Sequence, residues 1–308
     1  MNLLPKEIDK VVVPPIKTQG IKTKLVQFIL SNILWKGEGR WVEPFLGSGV
    51  VLFNVQPRKA LISDTNPHII QFYKDIYDNI ISPNIVREYL EVEGDKLLKH
   101  GEEYYYEVRN RFNQKHNSLD FLFLNRASFN GLMRFNSKGE FNVPFCRKTD
   151  RFRKAYITKI VNQVSAVKAV MLYRDWEFRV APWQNIFPLI QETDFVYMDP
   201  PYIGRYSDYF TRWSDIEAAS LAQHSRHLPC GFALSMWKEN KYRKNTHLEL
   251  WSTFTEERTY AHYYHIGATE SLRNSIIEVL LIKKGYAAQP EKKRQTTKIY
   301  QPPLFMNR

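Results

Sequence analysis

The stretch WVEPFLGSGVVLFNV at residues 41–55 carries the pattern of a strand, a glycine turn and a helix. The apolar pair Trp41-Val42 begins a short strand, the two glycines allow a tight turn, and the apolar residues 50–55 continue as a helix. Open α/β sheets bind ligands at such turns, beyond the carboxyl ends of their strands. The stretch therefore predicts the ligand-binding edge of a doubly wound α/β sheet.

Further strands and helices follow the same pattern along the chain. A second strand ends in the carboxylate of Asp64, and helical periodicity follows it from residue 66 to about residue 80. Buried strands are predicted at residues 60–64, 194–199, 231–236 and 275–282. These elements predict a Rossmann-like doubly wound α/β sheet.

An insert interrupts this alternation. Residues 82–128 have a helical pattern without another βαβ unit, and two short strands at 132–135 and 140–143 flank an Asn-Ser-Lys-Gly turn, which predicts a β-hairpin. We expect a catalytic domain in two parts, residues 1–80 and 156–308, separated by a helical plus β-hairpin insert at residues 81–155. Residues after about Tyr286 form a basic tail that we expect to pack loosely.

The composition indicates the class of partner. The 308 residues contain 44 Lys and Arg against 32 Asp and Glu, so the net charge of +12 suits a polyanion such as nucleic acid, although a basic surface can also serve solubility. Two cysteines cannot form a disulfide framework, and no paired His or Cys spacing indicates a metal site. Without an apolar run of about 20 residues or a signal peptide, we expect a cytoplasmic protein that does not enter membranes.

Asp64 is the first candidate ligand-binding residue. Its strand is expected beside the first strand, where its carboxylate could accept both hydroxyls of a ribose. The alternative is structural, with the glycines making a tight turn and Asp64 capping a helix.

The tetrapeptide Asp-Pro-Pro-Tyr at residues 199–202 follows another buried strand. The amino nitrogen of a nucleobase attacks a methyl donor poorly, because its lone pair is delocalised into the ring. The Asp199 carboxylate and the Pro200 carbonyl can accept its two N–H groups, and Tyr202 can stack on the face of an extruded base. The alternative is a proline-rich bend after a core strand.

Three stretches together resemble a known family. They are EPFLGSG at 43–49, DPPY at 199–202, and residues 125–145, which include NGLMRFN and FNVPF. They are similar to the N6-adenine DNA methyltransferases related to Dam and DpnM, the alpha group of the D12 class, over nearly the whole chain. Residues 13–24 and 64–68 look closest to the EcoRV-type modification methyltransferase.

The resemblance implies S-adenosylmethionine as cofactor and assigns residues to it. Asp175 and Trp176 would flank its adenine, and the TQGIK stretch at 18–22 departs from the family's aromatic-small-Gly-Gly-Lys motif. The implied cofactor-binding residues are Gly20, Lys22, Glu43, Phe45, Gly47, Gly49, Asp64, Asp175, Trp176 and Asp199. The implied catalytic residues are Asp199, Pro200 and Tyr202.

The insert would be the target-recognition domain. Arg134 matches the family's guanine-reading position and could grip guanine O6 and N7 bidentately in the major groove. Phe129 and Asn130 match residues at the gap left by the extruded base, although Phe129 could instead pack in the core. The implied DNA-binding residues are Phe129, Asn130, Leu132, Arg134, Asn136 and Pro144.

The resemblance implies a site-specific adenine methyltransferase of double-stranded DNA, the modification enzyme of a restriction-modification system. The expected target is a GAT-containing palindrome, with GATATC favoured and GATC second, shared with a cognate endonuclease that forms no stable complex. An RNA or protein N-methyltransferase is one alternative, against which the hairpin argues. A catalytically silent DNA-binding regulator is another, against which the intact DPPY tetrapeptide argues.

Overall fold

The computed structural model describes residue 4 and the ranges 7–202, 213–240, 244–263 and 275–289. These ranges contain a seven-stranded sheet with helices on both faces. The strands are β1 (Trp41–Glu43), β2 (Lys59–Asp64), β3 (Asp175–Val180), β4 (Phe195–Met198), β5 (Gly231–Asn240), β6 (Thr255–Tyr263) and β7 (Ser275–Lys283). The helices are α1 (Val26–Ser31), α2 (Leu52–Val55), α3 (Pro67–Tyr77), α4 (Pro83–Lys115), α5 (Ser118–Ala127), α6 (Lys154–Met171), α7 (Trp183–Ile186) and α8 (Asp215–Arg226).

The strand order is β3-β2-β1-β4-β5-β7-β6. Strands β1 to β5 pair in parallel, whereas β7 pairs antiparallel to both β5 and β6. The chain runs outward from β1 to β3 and then continues with β4 on the other side of β1. The order therefore reverses between β1 and β4, which confirms the doubly wound fold and marks the expected ligand position.

The central strands are buried on both faces, as parallel strands covered by helices must be. In β1, Trp41 belongs to one hydrophobic cluster and Val42 to the other. The Trp41 ring stacks on Phe195 of β4, with 5.4 Å between ring centroids. This packing holds β1 and β4 together at the point where the order reverses.

Helices α3 and α4 begin at Asn-Pro and Ser-Pro pairs. The Asn66 side chain accepts a hydrogen bond from the His68 N–H (3.0 Å), and the Ser82 hydroxyl accepts one from the Ile85 N–H (3.3 Å). Each cap satisfies an N–H group that the first helical turn leaves unpaired, and proline fits the first helical position. The predicted helices after Asp64 and after Ser82 are confirmed.

The predicted hairpin is present in a reduced form: the chain reverses at residues 136–139 and pairs antiparallel, but the continuous strands predicted at 132–135 and 140–143 do not form. Within residues 128–145, all of which are described, two isolated antiparallel bridges pair Phe135 with Phe141 and Ser128 with Phe145. Beside the first bridge, the Asn136 N–H donates to the Glu140 carbonyl (2.9 Å) and the Asn142 N–H to the Arg134 carbonyl (3.0 Å). The Asn113 side chain of α4 accepts from the Phe141 N–H (2.8 Å) and donates to the Phe141 carbonyl (3.2 Å). These two Phe141 groups face away from Phe135, and the Asn113 side chain satisfies them in place of a further strand.

The insert shares its core with the sheet. Phe72 of α3, Leu90 of α4 and Phe123 of α5 belong to one hydrophobic cluster with Trp41 of β1. The predicted division at residues 80 and 155 remains a prediction about function.

Among the described helices, none is long and apolar enough to cross a membrane. The predicted tail lies outside the described residues beyond residue 289.

Candidate active site

A cleft of about 270 Å³ opens at the carboxyl ends of β1, β2 and β4, where the strand order reverses. The opening loop, the glycine turn and the ends of the three strands contribute to its wall. Of the predicted cofactor residues, the structure brings seven to this wall: Gly20, Lys22, Glu43, Phe45, Gly47, Asp64 and Asp199.

An ion pair lies in the cleft wall. The Lys22 Nζ lies 2.9 Å from each Asp199 carboxylate oxygen and donates to the Gly20 carbonyl at 3.0 Å. Burial works to lower the pKa of Lys22, but the nearby carboxylates, with Asp199 first, raise it above its ordinary value. Lys22 therefore stays charged and holds the Asp199 carboxylate in one orientation.

The Asp199 carboxylate keeps acceptor capacity beyond this ion pair. Burial raises the pKa of Asp199, and the Lys22 charge opposes that rise. The Asp199 side chain is 25% exposed, whereas Lys22 is 4% exposed. A carboxylate has about four lone-pair sites, so the two contacts with Lys22 leave acceptors for a further donor.

The Asp64 carboxylate links the glycine turn to the start of α3. It accepts hydrogen bonds from the Gly47 N–H and the Asn66 N–H, each at 2.8 Å. Burial raises the pKa of Asp64, and these backbone donors counteract the rise. Asp64 therefore has the structural role of holding the turn and the start of α3. It also lines the cleft, where its carboxylate has acceptor sites for two hydroxyls.

Glu43 places a neutral acid in the cleft wall. The residue is 2% exposed, and its Oε1 accepts from the Trp41 Nε1–H at 2.8 Å. Burial raises the pKa of Glu43 to about 8, although the Trp41 hydrogen bond opposes this. Glu43 is therefore mainly protonated at pH 7.

The two glycines of the turn have different roles. Both have left-handed backbones, with φ of +51° at Gly47 and +73° at Gly49. A Cβ at Gly47 would meet no atom within 4 Å, whereas a Cβ at Gly49 would lie 2.6 Å from the Phe53 ring. Gly47 thus lets a ligand approach the backbone. Gly49, which is not among the described cleft residues, lets the turn pack on α2.

The structure does not bring Asp175 and Trp176 to the cleft. They begin β3, paired with the start of β2, and the Trp176 indole donates to the Pro57 carbonyl at 2.9 Å. The amino end of a parallel strand lies at the opposite edge of the sheet from the ligand. The residues that follow the carboxyl end of β3 line the cleft instead: Pro182, Trp183 and Gln184. Recognising 175–180 as a strand would have located them.

The prolines and the tyrosine of the DPPY tetrapeptide differ in their position relative to the cleft. Pro201 lines the cleft with Asp199, whereas Pro200 and Tyr202 are not among the described lining residues. The Tyr202 hydroxyl donates to Glu278 Oε2 at 3.1 Å. Sequence reasoning missed Glu278, and the signal was a lone carboxylate within the apolar strand SIIEVLLIK.

Several expected recognition residues lie together on the exposed part of the insert. Phe129 is 51% exposed, which excludes the core-packing alternative. Asn130 has a left-handed backbone with φ of +54°, which asparagine tolerates better than most residues. Pro144 is exposed, and its carbonyl accepts from the Phe129 N–H at 2.9 Å. Leu132 is partly buried against the core.

The Arg134 side chain is oriented by its neighbour across the loop. Its Nε donates to the Asn142 Oδ1 at 2.8 Å and its Nη2 to the Asn142 carbonyl at 3.2 Å. The Asn136 Oδ1 accepts from the backbone N–H groups of residues 138 and 140, so Asn136 closes the turn. Met133 lines the cleft, so the insert contributes to the same cavity as the Lys22–Asp199 ion pair.

A buried asparagine joins the insert to the opening loop. The Asn125 side chain accepts from the Lys17 N–H and donates to the Lys17 carbonyl, both at 2.9 Å. Next to this contact, a Cβ at Gly131 would lie 2.7 Å from the Lys17 side chain. The loop that carries Gly20 and Lys22 is thus fixed to α5 and to the turn after it.

Residues 19–266 match the family described as D12 class N6 adenine-specific DNA methyltransferase. The chain belongs to this family. It is therefore an adenine-specific DNA methyltransferase. The family implies S-adenosylmethionine, which supplies a methyl group on a positively charged sulfur.

The similar proteins include enzymes from archaea and bacteria. A type II methyltransferase, M.MjaIII of Methanocaldococcus jannaschii, is 31% identical over 209 residues, which cover 61% of this chain and 68% of that protein. The DNA adenine methylase of Vibrio cholerae is 33% identical over 192 residues, covering 61% and 64%. A solved rRNA methyltransferase of Streptomyces viridochromogenes has 12% identity and a TM-score of 0.37, covering 90% of each chain, a likeness too distant to support an argument.

The cleft residues of this methyltransferase fit the implied donor. Gly47 leaves open space beside the backbone, and Asp64 offers acceptors suited to ribose hydroxyls. The Asp199 carboxylate lies in the same cleft. In the described part of the chain, no group of three or more His, Cys, Asp or Glu side chains could hold a metal ion.

Proposed function

We propose that the enzyme methylates the N6 of adenine within a short specific sequence of double-stranded DNA, with S-adenosylmethionine as the donor. The observation that carries the proposal is the position of the Asp199 carboxylate. Lys22 holds it at 2.9 Å, in the same cleft as Asp64. An acceptor for the amino group and a candidate ribose site thus share one cavity.

In this proposal the protein activates the amino nitrogen by accepting its hydrogens. The Asp199 carboxylate accepts one N–H and the Pro200 carbonyl accepts the other, so electron density stays on the attacking nitrogen. A new N–C bond forms as the S–CH₃ bond breaks, and the nitrogen then loses one proton. Asp199 is the proposed acceptor of that proton, and its raised pKa suits this role.

Tyr202 is proposed to stack on the extruded adenine, and the insert to recognise the surrounding DNA. Arg134 would read a guanine next to the target adenine, with Asn142 fixing the guanidinium. Phe129 and Asn130 would enter the gap left by the base, which their exposure supports. Leu132, Asn136 and Pro144 complete the proposed DNA-binding set.

The target is proposed to be a GAT-containing palindrome, with GATATC first and GATC second. The resemblance of residues 13–24 and 64–68 to the EcoRV-type enzyme supports the first choice. The biological role is proposed as modification of cytoplasmic DNA alongside a cognate endonuclease that acts on the same site without a stable complex. The type II designation of the M.MjaIII relative supports this role.

The test is methyl transfer from tritiated S-adenosylmethionine to matched duplexes carrying GATATC, GATC or a scrambled site, with an RNA duplex as a fourth substrate. We expect label on N6 of adenine in one GAT-containing DNA duplex. Equal labelling of the scrambled duplex would refute specificity, and preferred labelling of RNA would refute the substrate. Loss of a label in Asp199→Ala excludes a contaminating enzyme.

A further inference from the structure

Glu278 is a buried carboxylate outside the described cleft wall. It lies in the middle of β7, where its backbone registers with Trp237 of β5 and Tyr260 of β6. It is 5% exposed, and its Oε2 accepts from the Tyr202 hydroxyl at 3.1 Å. A buried carboxylate is costly unless hydrogen bonds or charges compensate it. We therefore expect Glu278 to have a role that an apolar residue at this position could not have.

Tyr202 connects Glu278 to the catalytic ion pair. The Lys22 Nζ lies over the Tyr202 ring, 5.0 Å from its centroid, a distance at which a cation is attracted to the ring face. The same Nζ lies 2.9 Å from both oxygens of Asp199. A continuous set of contacts thus runs from Glu278 through Tyr202 and Lys22 to Asp199.

Charge provides a second connection. The Glu278 carboxylate adds to the effect of Asp199 in raising the pKa of Lys22. It also adds to the effect of burial in raising the pKa of Asp199, against the Lys22 charge. Glu278 thus acts on both members of the ion pair, although it is not among the described cleft residues.

We propose that Glu278 is a positioning residue for methyl transfer: it fixes the Tyr202 ring through the hydroxyl, and through that ring it fixes Lys22 and the Asp199 carboxylate. The inference rests on the proposed function, because it gives Asp199 the acceptor role. A merely structural partner of Tyr202 would affect stability without affecting the ionisation of the active site.

Two substitutions separate the hydrogen bond from the charge. Glu278→Gln keeps an oxygen that can accept from Tyr202 but removes the charge, whereas Glu278→Ala removes both. Asp194→Asn is the matched control, since Asp194 is also buried and bonded, to the Arg40 guanidinium at 2.7 Å beside the amino end of β4. Thermal unfolding and cofactor titration establish that each variant is folded.

Steady-state methylation of the preferred duplex then tests the role. We expect Glu278→Ala to lower kcat roughly 10-fold or more, as loss of a charge-assisted hydrogen bond would, while KM for DNA changes less than about 3-fold. Glu278→Gln should restore kcat to within about 3-fold of wild type. Asp194→Asn should leave kcat and its pH profile unchanged.

The pH profile gives a readout that stability alone would not move. Asp199 must be ionised to accept the amino hydrogen, so kcat falls as pH falls through its pKa. Because the Glu278 charge raises that pKa, Glu278→Gln should shift the acid limb of the kcat profile to lower pH. If Glu278→Ala fails to fold, Tyr202→Phe removes the same hydrogen bond while keeping the ring and the Glu278 charge, and it should lower kcat in the same way.

A double variant tests whether Glu278 acts through Tyr202. The combination of Tyr202→Phe with Glu278→Ala should lose clearly less than the product of the two single losses. Losses that multiply, an unmoved acid limb in Glu278→Gln, or a kcat in folded Glu278→Ala within 2-fold of wild type would each overturn the inference. Wild-type protein that methylates no DNA would instead refute the proposed function, and this inference with it.

Discussion

Replacement of Asp64 by Ala tests the cofactor assignment most directly. The carboxylate has two structural partners, the Gly47 and Asn66 N–H groups at 2.8 Å, and two proposed ligand partners, the ribose hydroxyls. A hydrogen bond to a charged group contributes about 1.5 to 3 kcal/mol. Loss of one such ribose bond should therefore raise the cofactor Kd roughly 10- to 150-fold. The variant should also unfold at lower temperature, because two backbone donors lose their acceptor.

The assay is calorimetric titration of the folded variant with S-adenosylmethionine, at a temperature well below its unfolding transition. Asp75→Ala is the matched control, because Asp75 is a buried carboxylate on the neighbouring helix α3 and is not among the described cleft residues. The control should also lose stability, since Asp75 bonds to Gln71 and Ser118, but should keep its cofactor Kd within about 2-fold. Equal affinity of Asp64→Ala and wild type would refute the assignment.

Four further outcomes are expected. Asp199→Ala should lower kcat about 100-fold or more while DNA affinity, which phosphate contacts dominate, changes little; near-normal turnover would contradict its catalytic role. Arg134→Ala should lose about 5- to 150-fold of its discrimination against a substituted guanine in competition assays, and Asn142→Ala should lose part of it; an unchanged preference would exclude guanine reading by Arg134. Glu43→Gln should gain thermal stability relative to wild type as pH rises from 5 to 8. Because Glu43 has a folded pKa of about 8, folding of the wild type takes up a proton in this range, and its stability therefore falls as pH rises. Melting temperatures of the two proteins that change in parallel with pH would argue against a neutral Glu43. DNA affinity should fall steeply with salt, and a flat dependence would mean that the +12 charge does not serve phosphate binding.

The sheet and most of the cleft could be predicted because their signals are local. The glycine turn at 45–49 follows a strand within a few residues, and Asp64 closes the next strand. In a parallel sheet, residues at the carboxyl ends of the strands lie at the ligand-binding edge, and this does not depend on the rest of the chain. For this reason the sequence alone was enough to predict that Gly47, Asp64 and Asp199 line one cavity.

The parts that escaped prediction depend on contacts distant in sequence. The hairpin is reduced to single bridges, and its outer edge bonds to Asn113, 28 residues earlier, a contact that no local pattern shows. Glu278 contacts Tyr202 across 76 residues, so no local pattern couples them. The expectation that Asp175 lies at the cofactor has another cause. Asp175 begins β3, so it lies at the amino end of a parallel strand, and β3 had not been predicted as a strand.

The two hydrogen bonds between Asn125 and Lys17 bear on how specificity could be altered by exchange of inserts between relatives. A graft with boundaries at residues 81 and 155 would take the buried Asn125 side chain and the Lys17 backbone to which it bonds from different parents. A chimaera should therefore take the opening loop from the same parent as the insert. We therefore expect the opening loop and the insert to be exchangeable only together, although more than 100 residues separate them along the chain.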